Sequence, residues 1–260
     1  MKFDYISDLH IENNGLKFLE ELIKTKESEY IFLGGDISEN IENLIIALKF
    51  FSENYKKVFY IPGNHELLKP LELSLEEKYL KLKNIVESIN ENIIFFDGQV
   101  LNIEGIKISG LTMWYDASYL RSKLFYLNEE DFKIYINKYY NSFMIDSQYF
   151  KKDLFYNFKF FKNKLDLINE DIDIMFSHIS PLNLEEFTSI RFKGSDTNAF
   201  FSFNGKDFLI KNKVKVYLYG HTHDSVNTKY GYTRILANPY GYLNETNFSN
   251  RKIENFEFHK

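Results

Sequence analysis

Short apolar runs that end abruptly in polar clusters are the main pattern of this chain. The runs are rich in Ile, Val, Phe and Tyr and are bounded by Gly, Pro or Ser, which is typical of buried β-strands. The five runs, each with its cluster, are FDYI before Ser7 to His10, YIFL before Gly34 to Asp36, KVFYI before Pro62 to His65, IDIMF before Ser177 and His178, and VKVYLY before Gly220 to His223. The polar clusters are therefore predicted at the carboxyl ends of strands.

Segments with helical spacing follow each of the first three runs. They are Leu16 to Lys24, Glu42 to Tyr55 and Leu71 to Ile89. An alternation of strands and helices predicts right-handed crossovers and a layered α/β architecture. In such sheets ligands bind beyond the carboxyl ends of the strands, where the polar clusters are expected.

Residues 93–112 interrupt this alternation with several short strand-like pieces separated by Gly98, Gly105 and Gly110. This pattern predicts a hairpin or meander that adds to a second sheet. The segments TKYGYTRILANPYGYL and IENFEFH near the carboxyl terminus repeat it. We therefore predict an α/β fold in which two sheets pack face to face, with helices outside.

Residues 115–167 form a charged, aromatic-rich stretch without glycine or proline. We predict a helical insertion of two or three helices lying beside the strand ends, within a single domain of residues 1–260. Its aromatic side chains are expected to pack the helices together. One or two of them are expected to line a substrate pocket.

Composition excludes several classes of site and partner. The chain of 260 residues has no cysteine, so disulfides, thiolate metal sites and cysteine nucleophiles are excluded. A net charge of −5 disfavours nucleic acid as a partner. The acidic start MKFDYISDLH does not resemble a signal peptide, and no apolar run approaches the roughly 18 residues of a membrane helix. We expect a cytoplasmic protein that does not bind membranes.

Five of the six histidines lie in the strand-end clusters. Residues two apart on an extended segment point the same way, so Asp8 with His10, and His221 with His223, are each expected to direct two donors toward one region. Nitrogen and oxygen donors together favour Mn, Fe, Zn or Co. The candidate ligands are Asp8, His10, Asp36, Asn64, His178, His221 and His223.

Seven donors are too many for one tetrahedral ion but suit two ions that share a bridging carboxylate. Asp36, after the tight Gly34–Gly35 turn, is the expected bridge, because the glycines would let the backbone approach the metals. Two divalent ions and two carboxylates leave two positive charges, which favours an anionic oxygen substrate. Hydrolysis of a phosphate ester is the predicted reaction.

The blocks DLH, GGDISEN, GNHE, SHISP and GHTH occur in this order between residues 8 and 223. Together they resemble the signature of the calcineurin-like metallophosphoesterase family. The resemblance implies a four-layered αββα sandwich with a dinuclear metal centre. It assigns Asp8, His10, Asp36 and His223 to one ion and Asp36, Asn64, His178 and His221 to the other.

The resemblance also implies a mechanism. A hydroxide that bridges the two ions would attack phosphorus in line, and His65 would protonate the leaving oxygen without binding a metal. The alternative for His65 is that it only caps a helix beginning near Glu66. Glu39, three residues after Asp36, stands where phosphatases of this family have an aspartate, so it is expected to pair with His65.

The predicted substrate is a small phosphorylated molecule, either a monoester or a diester. Arg191 and Lys193, in the loop of residues 183–203, are candidates for binding a distal phosphate. Tyr240 stands where many bacterial relatives have an arginine, which removes one expected phosphate contact. Two alternatives stay open: a cyclic-nucleotide phosphodiesterase or nuclease built on the same site, and a non-catalytic scaffold that keeps the fold.

Overall fold

The computed structural model describes residues 1–150, 153–243, 245 and 251–259. Its eleven strands form two sheets among these residues. The strands are β1 Lys2–Ile6, β2 Tyr30–Leu33, β3 Lys57–Tyr60, β4 Ile93–Phe95, β5 Val100–Ile103, β6 Ile106–Leu111, β7 Ile174–Ser177, β8 Val216–Tyr219, β9 Val226–Tyr230, β10 Thr233–Ala237 and β11 Glu254–Glu257. The α-helices are α1 Ile11–Asn14, α2 Phe18–Leu22, α3 Ile41–Asn54, α4 Leu75–Glu87, α5 Ser118–Arg121, α6 Glu129–Phe143, α7 Leu154–Leu167 and α8 Lys206–Lys211.

Both sheets are mixed. The first has the order β11-β1-β2-β3-β4, with β1 to β4 parallel and β11 antiparallel to β1. The second has the order β5-β6-β7-β8-β10-β9, with parallel strands at its centre and an antiparallel strand at each edge. The five apolar runs of the sequence are β1, β2, β3, β7 and β8, as predicted.

The sheets pack face to face through an aromatic core. Phe3, Phe32 and Phe59 of the first sheet share one buried cluster with Phe176 and Leu218 of the second. The rings of Phe32 and Phe176 meet edge to face, with centroids 5.0 Å apart. Because side chains alternate along a strand, the other face of each sheet packs against helices. This is the predicted αββα sandwich.

One detail of the predicted second sheet is wrong. The strand-like pieces of residues 93–112 divide between the two sheets, because β4 pairs with β3 while β5 and β6 form a hairpin in the second sheet. Phe96 follows β4 directly and lies in the core between the two sheets. The chain therefore crosses from one sheet to the other near Gly98.

The segment between β6 and β7 is helical. It contains α5, α6, a 3-10 turn at Ile145–Gln148, and α7. Trp114 and Phe161 are fully buried there and their rings stack with centroids 6.2 Å apart. Among the residues that the structure describes, none of the helices has the length and apolar character needed to cross a membrane.

Candidate metal centre

The loops after β1, β2, β3, β7 and β8 bring all seven predicted ligands together. Three sets of side chains have ligand atoms within 4.8 Å of one another: Asp8, His10 and His223; His10, Asp36 and His65; and Asp36, His178 and His221. Asn64 joins the third set, since its Oδ1 lies 3.0 Å from Nε2 of His178. The carboxyl ends of parallel strands meet at one edge, which explains why residues distant in sequence converge.

The ligands form two groups on either side of Asp36. We name the first the Asp8 group, which consists of Asp8, His10 and His223, and the second the Asn64 group, which consists of Asn64, His178 and His221. Oδ2 of Asp36 lies 3.2 Å from Nε2 of His178 and 3.9 Å from Nε2 of His10. Asp36 is therefore placed to serve both groups.

Close approach of the loops depends on glycine at three positions. A Cβ atom on Gly63 would lie 2.1 Å from Oδ1 of Asp36, and one on Gly220 would lie 2.7 Å from Oδ2 of Asp8. Gly35, with φ of 85°, packs against the backbone of Gly63. The glycine of the β2 loop therefore lets two loops meet, whereas the sequence analysis assigned it to the approach of backbone to metal.

The backbone at the ligands is left-handed, not extended. Positive φ angles occur at five of the seven: Asp8 at 56°, His10 at 43°, Asp36 at 53°, His221 at 66° and His223 at 57°. The predicted reason for the convergence of each pair, an extended backbone on which residues two apart point the same way, is therefore wrong. The convergence of each pair comes instead from tight left-handed turns, which Asp, Asn and His adopt more readily than other non-glycine residues.

Each histidine of the Asp8 group is held from behind by a carboxylate. Nδ1 of His10 lies 3.1 Å from Oε1 of Glu12, and Nδ1 of His223 lies 2.9 Å from both carboxylate oxygens of Glu245. The Nδ1–H groups donate to these acceptors, which leaves Nε2 of both rings as the metal-facing atom. The two Nε2 atoms are 3.0 Å apart. Neither Glu12 nor Glu245 was predicted from the sequence.

Backbone carbonyl groups hold the histidines of the Asn64 group. Nδ1 of His178 lies 2.8 Å from the oxygen of Gly34, and Nε2 of His221 lies 3.0 Å from the oxygen of Phe200. His221 therefore presents Nδ1 to the centre, whereas the other three ligand histidines present Nε2. Burial and the neighbouring His178 lower the pKa of His221 to about 3, which keeps this ring neutral with a lone pair on Nδ1.

The surroundings favour positive charge at the centre of each group. Although burial alone would lower it, Asp8 and Glu245 raise the pKa of His223 to about 9. Burial likewise opposes ionisation of His178, yet Asp36 raises its pKa to about 10. The metal-facing atoms approach one another closely, and such contacts are favourable when a proton or a metal ion lies between them. The donor set therefore fits metal ions in both groups.

Glu66 anchors the loop that carries Asp36. Its buried carboxylate accepts hydrogen bonds from the backbone N–H groups of Asp36 at 2.9 Å, Ile37 at 2.6 Å and Gly63 at 2.8 Å. Burial and the nearby Asp36 raise the pKa of Glu66 to about 7. This residue of the GNHE block ties the loops after β2 and β3 together.

A carboxylate from the helical segment reaches the Asn64 group. Asp146, in the 3-10 turn after α6, is buried and accepts from Nδ2 of Asn64 at 3.1 and 3.2 Å. It also accepts from the hydroxyl of Tyr115 at 2.9 Å. Asp146 was not among the predicted site residues, because it lies outside every block and has no distinguishing neighbours.

His65 lies beside the metal-binding groups. Its backbone N–H donates to Oδ1 of Asp36 at 2.9 Å, and its Nε2 lies 4.0 Å from Oδ2 of the same carboxylate. Burial opposes protonation, but Asp36 and Asp146 raise the pKa of His65 above its usual value. Its side chain is 19% exposed, against 7% or less for Asp36, His10 and His223. His65 is the first residue of a 3-10 helix whose N-cap is Asn64. The alternative in which His65 only caps a helix is therefore wrong.

The predicted pairing of Glu39 with His65 is wrong. The Glu39 carboxylate lies 3.6 Å from Nζ of Lys69, and Nδ1 of His65 is buried without a hydrogen-bond partner among the residues described. The backbone N–H of Glu39 donates to Glu12 at 3.1 Å. Glu39 therefore turns toward Lys69 and away from the imidazole.

Arg191 and Lys193 occupy different positions beside the centre. The guanidinium of Arg191 donates to Glu245, which holds His223, and to the oxygen of Thr222 at 3.3 Å. Lys193 is exposed. Both residues line a cavity of about 960 Å³, together with His223 and Glu245.

Tyr242 is a further aromatic neighbour that the sequence did not reveal. Its ring stacks on His10 with centroids 4.3 Å apart and meets the ring of His223 at 5.0 Å. It belongs to the NPYGY segment, in which the sequence analysis considered only Tyr240. Tyr240 instead stacks on Phe18, with centroids 4.5 Å apart.

The calcineurin-like phosphoesterase family model matches residues 1–225 of this chain. The chain belongs to the calcineurin-like phosphoesterases. Members of this family are metal-dependent, and the chain is a hydrolase of phosphoric esters. The family match and the relatives named as phosphodiesterases favour an enzyme over the scaffold alternative.

Two relatives and one solved structure are similar to this phosphoesterase over most of its length. It is 28% identical to an uncharacterized protein, L509, of Acanthamoeba polyphaga mimivirus over 94% of this chain and 92% of the relative. It is also 28% identical to a probable cyclic nucleotide phosphodiesterase of Coxiella burnetii, over 69% of this chain and 75% of that protein. Phosphopantetheinyl hydrolase of Mycobacterium tuberculosis shares its fold, with a TM-score of 0.71 at 17% identity, covering 93% of this chain and 89% of that one.

Proposed function

We propose that this phosphoesterase is a dinuclear enzyme that hydrolyses phosphate mono- or diesters by in-line attack of water, without a covalent intermediate. The observation that carries the proposal is the pair of facing acceptor groups on either side of Asp36. Two divalent transition-metal ions (Mn, Fe, Zn or Co) would supply Lewis acidity and acidify the attacking water. The Asp8 group with Asp36 would hold one ion, and the Asn64 group with Asp36 the other.

His65 is the proposed proton donor for the leaving oxygen. Its side chain is 19% exposed, more than those of Asp36, His10 and His223, and its ring lies beside His10 and Asp36. Although its nitrogen lies close enough to His10 and Asp36 to bind an ion with them, we propose that it stays unbound and acts as the proton donor. The hydrogen bond from its backbone N–H to Asp36 keeps it there. An imidazole beside the reacting oxygen is suited to donate a proton near neutral pH.

The two basic side chains of the loop of residues 183–203, Arg191 and Lys193, would act in different ways. Arg191 is held by Glu245 and Thr222, so we propose that it stabilises the support behind His223 and reaches substrate only from that position. Lys193, exposed at the edge of the same cavity, would contact a distal anionic group. Lys193→Ala should then raise KM for substrates with a second phosphate and leave KM for simple esters unchanged.

Cyclic nucleotide hydrolysis is the second candidate. It is supported by the name of the Coxiella burnetii relative and by a row of aromatic rings that runs outward from the Asn64 group. Phe201 lies 5.2 Å from the ring of His221, and Phe192, which is 37% exposed, stacks on Phe201 at 5.3 Å. Such rings stack well on nucleobases.

The test is a substrate panel with the Mn-loaded protein and three variants. It contains p-nitrophenyl phosphate, bis(p-nitrophenyl) phosphate, 3′,5′-cyclic nucleotides and a single-stranded oligonucleotide. His65→Asn should lower kcat by roughly 10²- to 10⁴-fold with metal content unchanged. Glu39→Gln should retain activity, since Glu39 faces Lys69, and His259→Asn controls for loss of a surface histidine. Full turnover after exhaustive removal of metal with EDTA would disprove the proposal.

A further inference from the structure

The Asp146 carboxylate is buried yet has no cationic side chain within 4.0 Å in the described part of the chain. It is 1% exposed and accepts hydrogen bonds from the amide of Asn64 and the hydroxyl of Tyr115. Burying a carboxylate without a cation is unfavourable. A packing role for the 3-10 turn would be served better by an apolar side chain, so the carboxylate calls for another explanation.

The hydrogen bonds of Asp146 fix the orientation of the Asn64 amide. Nδ2 of Asn64 lies 3.1 and 3.2 Å from the two carboxylate oxygens, while its Oδ1 lies 3.0 Å from Nε2 of His178 in the centre of the Asn64 group. The two ends of a carboxamide are nearly equal in shape and differ only in their hydrogen-bonding character. Without an acceptor behind Nδ2, a rotated amide would present its N–H groups to the cation and bind nothing.

We propose that Asp146 is a positioning residue for the metal centre, which holds the Asn64 oxygen toward the ion of the Asn64 group. The helical segment between β6 and β7 thereby completes the metal centre, in addition to lying beside it. The hydroxyl of Tyr115 donates to the same carboxylate and fixes it in turn. This inference rests on the metal centre of the proposed function.

Two substitutions of similar size separate positioning from packing. Asp146→Asn retains an oxygen that accepts from Nδ2 of Asn64, whereas Asp146→Leu removes the acceptor and also the buried charge. Asp146→Leu leaves Nδ2 of Asn64 and the hydroxyl of Tyr115 without this acceptor, and each unsatisfied donor lowers stability. Removing the unfavourable buried charge offsets part of that cost, so the leucine variant should fold with lowered stability. The midpoint of urea unfolding of each metal-free variant checks this.

The decisive measurement is stepwise Co²⁺ binding, followed by isothermal titration and by visible absorption. Wild type should bind two ions. Asp146→Leu should weaken binding of the ion in the Asn64 group by roughly 10- to 100-fold, as substitutions behind metal ligands do. Binding of the ion in the Asp8 group should be unchanged. Asp146→Asn should weaken binding of the ion in the Asn64 group by less than about tenfold, because it retains an oxygen that accepts from Nδ2 of Asn64.

An Asn64→Ala background tests whether Asp146 acts through Asn64. There, Asp146→Leu should cause no further loss of affinity. Equal weakening of both ions, unchanged affinity in Asp146→Leu, or an undiminished loss in the Asn64→Ala background would overturn the inference. Failure of the wild type to bind any ion would instead contradict the proposed function itself.

Discussion

The two groups of the candidate metal centre have different supports behind their histidines. The histidines of the Asp8 group are backed by the carboxylates of Glu12 and Glu245, and Asp8 adds a charge of its own. The histidines of the Asn64 group are backed by the carbonyl oxygens of Gly34 and Phe200. A carboxylate behind a histidine makes the ring a stronger metal ligand. The Asp8 group should therefore hold its ion more tightly, so that the two ions bind in sequence.

Asp36→Ala should have the largest effect, because it removes the carboxylate that lies between the two groups. Both ions should weaken, and hydrolysis should fall by roughly 10³-fold or more, since each ion contributes several kcal/mol of charge stabilisation. Elemental analysis of the purified variant and a kcat/KM measurement test this together. Loss of one ion alone would show that Asp36 serves a single group.

His223→Ala and His221→Ala should each reduce the metal content from two ions to one, but at different ions. His223 belongs to the Asp8 group and His221 to the Asn64 group. Co²⁺ absorption distinguishes the two remaining sites, because their ligand sets differ. If the two variants kept the same absorption spectrum, the division into two groups would be wrong.

Glu245→Gln should have a smaller effect that is confined to the Asp8 group. The change removes the charge behind His223 and keeps the shape, so affinity for the first ion should fall by roughly 10- to 100-fold. Titration with Mn²⁺ measures this. The matched control is Glu257→Gln, which replaces an exposed acid on β11. This variant should bind both ions as wild type does.

The sequence predicts which candidate ligand side chains come together, because of how parallel strands are arranged. Polar residues that follow β1, β2 and β3 lie at one edge of the first sheet, and those that follow β7 and β8 lie at one edge of the second. The packing of the two sheets then brings Asp36 and His178 together. Left-handed backbone at His10 was not predictable, because the spacing of apolar residues carries no information about the φ angle of a single loop residue.

The supporting residues could not be found from the sequence. Asp146 and Glu245 are two of 37 acidic residues, and nothing in their local pattern separates them from solvated ones. Asp146 reaches Asn64 across 82 positions of the chain through a helical segment without a motif. The pairing of Glu39 failed for a related reason, since a nearby Lys69 offers the carboxylate a simpler partner.

The left-handed turns at the centre set a limit for protein engineering. Backbone conformations with positive φ at Asp8, His10, Asp36, His221 and His223 are unfavourable for side-chain-bearing residues, by on the order of 1 kcal/mol each. Glycine would relieve this strain at every one of the five positions. A screen for heat-resistant variants of the metal-free chain would therefore enrich substitutions that destroy the centre, and such a screen needs metal present throughout.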